Sequence, residues 1–466
     1  MQRALQALTF LPLLLFLACG VSQTYYKRID TRLRDYDFQG ALGKLDQEEY
    51  GSRNRLLYHL DKGILAHYQG DFAASNAELG KADELAEDLF TKSVSQRVSS
   101  YVTNDNVRDY PGEDFEVALI DLFRTVNYLL LGELENALVM CRRVDHKLKV
   151  YSDKYEAENA KQREAGEKVV VAYTEDAFIR YLMGLLFEEG GEVDNAFVAL
   201  RNALRIYEDY QKLYGTPLPG ILVQDLIRVG TKLGYTEEVE QYRSRFPSLV
   251  TGAEPLQPGQ AQVTFLFYNG LAPVKEELAI DLNINNANAP LVEVSVPGYQ
   301  PSHLDPMGIR IALPYYKKRP PSAHFSELIL SAEGGRHFAR SQLVEDITEI
   351  AVRNLKDRLP SIRRRTLVRV IIKAVASRVV DKQAKKNLGL AGVLLGAGTM
   401  VAAKYSEQAD LRCWRTLPAQ VQMARLTVPA GTYDYSVLLS NGWGRQLGKL
   451  ELKPGQHRFL AYQSIN

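Results

Sequence analysis

The sequence predicts a multidomain α+β protein, in which an irregular tetratricopeptide-like α-solenoid precedes a β-sandwich-like domain with a helical insertion. Two observations lead to this prediction. A template of small and bulky residues recurs at helical spacing up to about residue 250, and short strand-like runs separated by turns follow it. The chain has 466 residues, which is enough for about three domains of ~150 residues each.

The first 20 residues have the pattern of an export signal. An uncharged apolar run, 4–18, is shorter than the ~20 residues that span a membrane and matches the core of a signal peptide. It leads into Cys19, in a context similar to the lipobox of bacterial lipoproteins. We therefore predict a signal peptide over 1–18 and lipidation of Cys19. The alternative is ordinary cleavage before Val21.

The residue after the cysteine bears on the destination of the protein. It is Gly20, not the aspartate that in this class of signals retains a lipoprotein at the inner membrane. The similarity to lipobox signals therefore favours the periplasmic face of the outer membrane. Two or more acyl chains give stable anchoring where a single chain is marginal.

Self-similarity predicts a helical repeat domain over 19–250. Three segments share a small residue, a bulky residue three positions later, a glycine four positions after that, and further small residues beyond. These segments are 63–82, 125–144 and 184–203, with a weaker fourth around Gly234. The template resembles tetratricopeptide repeats, in which two antiparallel helices cross at small residues.

The spacing of the template departs from that family. Its glycines fall at positions 70, 132, 191 and 234, whereas tetratricopeptide repeats recur every ~34 residues. The additional residues lead us to expect extra helices between the hairpins, over 82–101 and 145–167.

One loop, 102–116, interrupts the helical pattern. Glu113 and Asp114 directly precede an apolar run that is typical of a helix, and acidic side chains stabilise a helix start. The alternative is a partner-binding rim made of Tyr110, Glu113, Asp114 and Phe115, because loops on rigid scaffolds often carry function.

Beyond a Pro- and Gly-rich linker, 251–260, the pattern changes to short runs typical of strands. They predict a β-rich domain in two parts, 261–341 and 419–466. Short antiparallel strands at this spacing are typical of a sandwich. The predicted strands are 261–268, 278–282, 291–296, 309–313, 327–331, 424–428, 433–439, 449–452 and 458–462.

A helical insertion, 342–418, separates the two parts. Between 361 and 386 it carries nine Lys or Arg against one Asp, with apolar residues interleaved at helical spacing. Such a helix commonly lies on a membrane surface. The alternative is that its apolar face packs within the domain. The cations predicted to meet anionic lipid are Arg363, Arg364, Arg365, Arg369 and Lys373.

The next sixteen residues, 388–403, are uncharged and rich in glycine. Gly392 and Gly396 form a GxxxG pair, which lets another helix approach closely. We expect helix packing here, within the fold or between protomers, with membrane insertion as the alternative. Segment 361–403 as a whole is thus a candidate for contact with anionic lipid or for self-association.

The sequence contains no motif for catalysis, a metal or a cofactor. Its seven histidines form no HExxH pattern, and neither a G-x-S-x-G elbow nor a P-loop is present. Lys+Arg total 57 against 56 Asp+Glu, which excludes a globally basic nucleic-acid binder. Three cysteines argue against a disulfide scaffold, and we interpret Cys141 and Cys413 as buried thiols, with a disulfide as the alternative.

In their order, these features resemble an uncharacterised family of bacterial outer-membrane lipoproteins with tetratricopeptide-like repeats and a β-rich C-terminal domain. The resemblance is carried by Cys19, the helical hairpins, and the stretches 110–116, 269–273 and 407–418. It implies a lipid-anchored periplasmic protein with other envelope proteins as partners. It supplies no catalytic residue.

We therefore expect a protein–protein interaction scaffold or adaptor in cell-envelope assembly, and not an enzyme. Helical repeats stack into extended concave surfaces that bind partners, and a β-rich domain on the same chain offers a second surface. The alternative is a periplasmic enzyme or binding protein that acts on peptidoglycan or another polysaccharide.

Overall fold

A computed structural model describes residues 21, 23–95, 108–164, 173, 175–250, 255–284, 307–370 and 408–465. Within them, the predicted order of a helical part followed by a β-rich part is confirmed. The predictions for the signal peptide, Cys19, the strand 291–296, Lys373, Gly392 and Gly396 lie outside the described residues.

Helices of very different lengths form the N-terminal part. They are α1 (Gln23–Arg34), α2 (Phe38–Leu42), α3 (Gln47–Tyr50), α4 (Arg55–Gln69), α5 (Phe72–Ser95), α6 (Asp114–Leu131), α7 (Leu134–Glu164), α8 (Ala177–Glu189), α9 (Val193–Tyr214), α10 (Gly220–Leu233) and α11 (Thr236–Arg245). Short 3-10 turns lie at Ser52–Asn54 and Pro247–Leu249. A further helix, α12, spans 347–370 in the C-terminal half.

Four helical hairpins, α4–α5, α6–α7, α8–α9 and α10–α11, follow the predicted template. A template glycine with positive φ lies between the two helices of each: Gly70 (88°), Gly132 (80°), Gly191 (78°) and Gly234 (76°). Glycine takes this left-handed conformation without a steric cost, so the chain can reverse within two or three residues. The predicted array of antiparallel helical hairpins is therefore confirmed.

Long second helices account for part of the long spacing between hairpins. α5 has 24 residues and α7 has 31, and no proline interrupts either of them. The expectation of separate helices over 82–101 and 145–167 is therefore wrong in the described residues, where these positions continue α5 and α7.

The predicted β-rich domain is present. Its strands are β1 (Gln260–Asn269), β2 (Val274–Ile284), β3 (Met307–Lys317), β4 (Ser326–Ala332), β5 (Gly335–Arg340), β6 (Gln342–Glu345), β7 (Gln420–Pro429), β8 (Gly431–Leu439), β9 (Gly444–Leu452) and β10 (His457–Ser464). The described residues form two four-stranded sheets, ordered β10-β1-β7-β6 and β5-β4-β8-β9, and a β2–β3 hairpin.

The two four-stranded sheets bury one common hydrophobic cluster. Phe265 of β1, Leu328 of β4 and Val437 of β8 all belong to it. β1 pairs with β7 in antiparallel and with β10 in parallel orientation. The parallel pair departs from the purely antiparallel arrangement of predicted strands, and the finer assignment as a sandwich stays a prediction.

The boundaries of the predicted helical insertion differ from the structure at both ends. Residues 342–345 form the short edge strand β6, which pairs with β7, and α12 begins only at residue 347. At the other end, residues 408–418 contain no helix. A four-residue strand has too little local pattern to be recognised, because it is stabilised by pairing with a distant strand and by the burial of Val344.

Close helix crossings explain the small residue that opens the template. A Cβ added to Gly63 would lie 2.6 Å from Leu79 Cδ2, and one added to Gly184 would lie 2.6 Å from Leu200 Cδ2. In both hairpins a leucine of the second helix thus fills the space that a glycine leaves in the first.

Two glycine substitutions should separate the effect of packing on stability from the effect of helix propensity. We expect Gly184→Ala to lower the free energy of unfolding by about 1–3 kcal/mol, because the new methyl group collides with Leu200. Gly80→Ala in α5 should raise it by up to about 1 kcal/mol, because nothing lies within 4 Å of the added Cβ. Guanidinium unfolding measures both, and equal effects would contradict the crossing geometry.

Candidate functional site

One face of the helical array, which we call the inner face, is covered by the C-terminal half of the same chain. One hydrophobic core contains residues of the helical hairpins together with residues of the β10-β1-β7-β6 sheet, α12 and segment 408–418. Trp414, only 1% exposed, lies in this core with its ring 6.2 Å from that of Phe123 in α6. The part of the array that this core covers is therefore not open to a partner in this structure.

Segment 408–418, which we call the inner segment, is held by hydrogen bonds from the array. The Trp414 N–H donates to Glu116 Oε1 at 2.7 Å. The Thr416 hydroxyl donates to Asp61 Oδ1 at 2.5 Å, and the Tyr68 hydroxyl donates to the Thr416 carbonyl at 3.0 Å. The array thus binds this irregular stretch of its own chain through both backbone and side-chain groups.

Two arginines of the inner segment add ionic contacts. Arg412 pairs with Asp410 at 2.7 Å and donates to the carbonyl of Arg108 at 2.7 Å. Arg415 pairs with Asp30 of α1 at 2.5 Å. Both guanidinium groups are buried, and buried charges require such partners because desolvation is costly. The Arg412–Asp410 pair lies within the inner segment, whereas the Arg415–Asp30 pair and the hydrogen bond from Arg412 to Arg108 connect the segment to the helical half.

The predicted partner-binding loop lies at this joint and contacts its own chain. Tyr110 and Phe115 are 2% and 3% exposed, Glu113 is also buried, and Asp114 is partly exposed. Glu113 caps α6 and forms a capping box with Glu116, so the interpretation of the acidic residues as a helix start is confirmed. None of the three buried side chains forms an exposed rim.

Glu113 also connects three elements of the fold. Its carboxylate accepts from Lys275 Nζ of β2 at 2.5 Å and pairs with Arg358 of α12. Burial opposes ionisation, but the neighbouring Arg358 and Lys275 charges lower the pKa of Glu113 to about 2. The carboxylate therefore stays ionised at neutral pH and holds the start of α6 against the hairpin and α12.

A second buried acid, Glu345 of β6, lacks the hydrogen-bond partners that Glu113 has. It is 0% exposed, and neither carboxyl oxygen has a hydrogen-bond partner among the described residues. Burial, followed by the nearby Asp176 and Asp346 charges, raises the pKa of Glu345 well above its ordinary value. Sequence analysis missed this residue, although an acid that ends the apolar run of β6 is a weak signal for it.

The predicted basic patch is divided by the structure. Arg363 and Arg364 of α12 are exposed and Arg365 is half-buried, whereas Arg369 is 3% exposed and donates to Thr366. The apolar side chains of this part of the helix pack on β3. The alternative interpretation, packing within the domain, therefore describes residues 361–370. The contacting residues are Ile362, Leu367 and Val370 on α12 and Ile311 and Leu313 on β3.

The cysteines in the described part of the chain are buried in its core. Cys141 and Cys413 are buried free thiols, so their interpretation as buried thiols is confirmed. Burial raises the pKa of Cys413 to about 11. In the described ranges, no three His, Cys, Asp or Glu side chains converge as metal ligands. No helix in these ranges has the length and hydrophobicity that crossing a bilayer requires.

Replacing Glu345 should change the pH dependence of stability. The folded-state pKa of Glu345 lies above the ordinary value of 4.5. The stabilisation of the folded state by this carboxyl is therefore complete below pH 4.5, and it is lost as the pH rises through the folded-state pKa. The free energy of unfolding of Glu345→Gln should therefore rise relative to that of the parent, by up to about 1.4 kcal/mol per pH unit between pH 4.5 and the folded-state pKa. Guanidinium unfolding across the pH range measures this, with the exposed Glu333→Gln as a control. A constant difference would contradict the assignment.

Comparisons with known proteins give only distant likenesses. No family model and no curated protein matches the chain. Among solved structures, it is similar to MamA 41-end from Desulfovibrio magneticus RS-1, with 12% identity over 49% of this chain and 97% of that chain and a TM-score of 0.30. It is also similar to aspartyl phosphate phosphatase F from Bacillus subtilis, with 14% identity over 49% of each chain and a TM-score of 0.30. Such TM-scores support no conclusion about fold or function.

Proposed function

We propose that this chain is a membrane-anchored periplasmic scaffold or adaptor in cell-envelope assembly. The helical array encloses the inner segment and packs on the β-rich domain through one core. An array whose inner face is covered in this way acts as a rigid frame. Protein partners then bind to surfaces that the frame presents on its outside.

The observation that carries this proposal is an apolar face of the β2–β3 hairpin. Residues directly opposite on antiparallel strands share a face, and Leu278 and Ile280 lie opposite Leu313 and Ile311. The two β3 residues are buried, next to α12, whereas Leu278 and Ile280 are 51% and 36% exposed. Contiguous exposed apolar surface is typical of a protein–protein contact.

The hairpin is also firmly held, which suits a docking surface. Lys275 at the start of β2 is 4% exposed and bonded to Glu113 of the array. At the same end, Glu276 accepts from the Tyr315 hydroxyl at 2.6 Å and from Lys317 at 2.9 Å. A patch on a preorganised hairpin loses little conformational freedom when a partner binds.

Site-specific photo-crosslinking in cells tests the docking surface. A photoreactive residue at Leu278 of the full chain should give a defined protein adduct, and Ile280→Asp should reduce that adduct because a charge enters the apolar face. The matched control is Phe338 of β5, which is 63% exposed on a different sheet and should give no such adduct. The proposal fails if Leu278 and Phe338 label the same proteins equally, and turnover of purified peptidoglycan without adducts would favour the enzyme alternative.

The anchor is supported by the apolar run 4–18 and Cys19. We expect Cys19→Ala to move the protein from the outer-membrane fraction to the soluble fraction, or to leave an uncleaved precursor, because the acyl chains provide the stable attachment. Membrane fractionation with metabolic labelling by a fatty acid measures both effects, with Cys141→Ala as the thiol control. An unchanged outer-membrane fraction for Cys19→Ala contradicts lipid anchoring.

A further inference from the structure

A cavity of about 540 Å³ lies between the start of the helical array and the C-terminal strands. The array contributes Tyr36, His67 and Tyr68 to its wall, and the β-rich domain contributes Tyr268, Tyr462 and Gln463. Its volume is in the range of small-molecule sites, which often form where two domains meet. Nothing in the proposed scaffold function uses this cavity.

Two aromatic residues of the cavity wall, Tyr36 and Tyr462, both stack with Trp443, which lies outside the wall. The Trp443 ring, which is 39% exposed, lies parallel to that of Tyr36, with centroids 6.2 Å apart and an interplanar angle of 1°. Trp443 also stacks on Tyr462, with centroids 6.0 Å apart and an interplanar angle of 24°. Stacked aromatic side chains provide large apolar faces with little conformational freedom to lose on binding.

The backbone of Tyr36 has a left-handed conformation at the end of α1, where the Asp37 N–H donates to the Arg32 carbonyl at 2.9 Å. Its φ is 57°, and among the described residues no other non-glycine residue has a positive φ. It follows the end of α1, where glycine is the usual residue. Strained conformations of this type cluster at functional sites, where the rest of the structure maintains them.

His67 presents a hydrogen-bond acceptor whose protonation state is set by its neighbours. Asn127 Nδ2 donates to Ser75 Oγ at 2.8 Å, which orients the amide so that Asn127 Oδ1 accepts from His67 Nδ1 at 2.5 Å. The proton therefore lies on Nδ1 and leaves Nε2 as an acceptor. Burial lowers the pKa of His67 to about 4, so the ring stays neutral at physiological pH.

Three polar atoms on residues of this wall have no partner among the described residues: His67 Nε2, the Tyr268 hydroxyl and Gln463 Oε1. The Gln463 amide nitrogen donates to the Gly270 carbonyl at 3.1 Å, so its oxygen remains as an acceptor. All three atoms are shielded from solvent, and binding would therefore include a small opening of the wall. Buried polar atoms without partners are costly, and a ligand that carries hydrogen-bond donors would satisfy them.

We propose that this cavity binds a saccharide of one or two rings. An apolar face of a sugar ring would stack on the aromatic wall, while its hydroxyl groups would donate to His67 and Gln463 and exchange a hydrogen bond with Tyr268. A sugar carries hydroxyl donors around its whole edge, which suits acceptors contributed by both the helical array and the β-rich domain. A planar nucleobase carries its donors along one edge and suits this arrangement less well.

Calorimetric titration of the full chain tests the proposal, with the disaccharide of N-acetylglucosamine, lactose and maltose as probes and adenosine as the non-sugar comparison. At least one saccharide should bind saturably with a Kd below about 1 mM. Tyr268→Phe should weaken that binding about tenfold, as expected for one lost hydrogen bond. Its melting temperature should be unchanged or raised, because the hydroxyl has no partner to lose.

Two further variants keep the result interpretable. Tyr316→Phe removes another hydroxyl without a hydrogen-bond partner among the described residues, outside the cavity wall, and should bind as the parent does. Tyr36→Gly removes one face of the stack while relieving the positive φ, and should abolish binding. The proposal is overturned if none of the saccharides binds saturably, if adenosine binds more tightly than all of them, or if Tyr316→Phe and Tyr268→Phe weaken binding equally.

Discussion

The structure depends on one interface, the burial of the C-terminal half against the inner face of the helical array. Hydrophobic residues from the helical hairpins, from one four-stranded sheet and from the inner segment form a single core. Burial of this kind is the main favourable contribution to folding. The array and the β-rich domain therefore form one folded body, and the position of the hairpin, the cavity and α12 follows from that contact.

Charged groups make this interface specific. Arg425 of β7 pairs with Asp225 of α10, and the buried Arg228 also bonds to Asp225 at 3.0 Å. At the other end of the array, Glu113 pairs with Lys275 and Arg358. Buried pairs of this kind add little net stability, but breaking one leaves a buried charge unpaired. They exclude shifted arrangements of the two halves, in which these charges would lose their partners.

The covered inner face limits where partners can bind. Helical repeats usually bind partners in a concave face, and here hydrogen bonds of Trp414 and Thr416 hold a segment of the same chain against the array. Among the described residues, the exposed half of the β2–β3 hairpin and the cavity lined by Tyr36, His67 and Tyr268 are two surfaces that other molecules could contact. A scaffold role and a small-molecule site are compatible, because they use different surfaces of one rigid body.

The sequence by itself determined the features that depend on local physics. Glycines at 70, 132, 191 and 234 predicted the four hairpins, because a left-handed turn favours glycine wherever it occurs in the chain. Alternating patterns and turn residues predicted most strands in the same way. Local sequence did not determine the short strand β6 or the continuity of helices α5 and α7. It also did not determine the burial of the loop before α6. Only the tertiary structure showed that Tyr110 and Glu113 are buried and that Trp414 bonds to Glu116, because that bond joins residues 298 positions apart and no local pattern records which distant surface will cover a side chain.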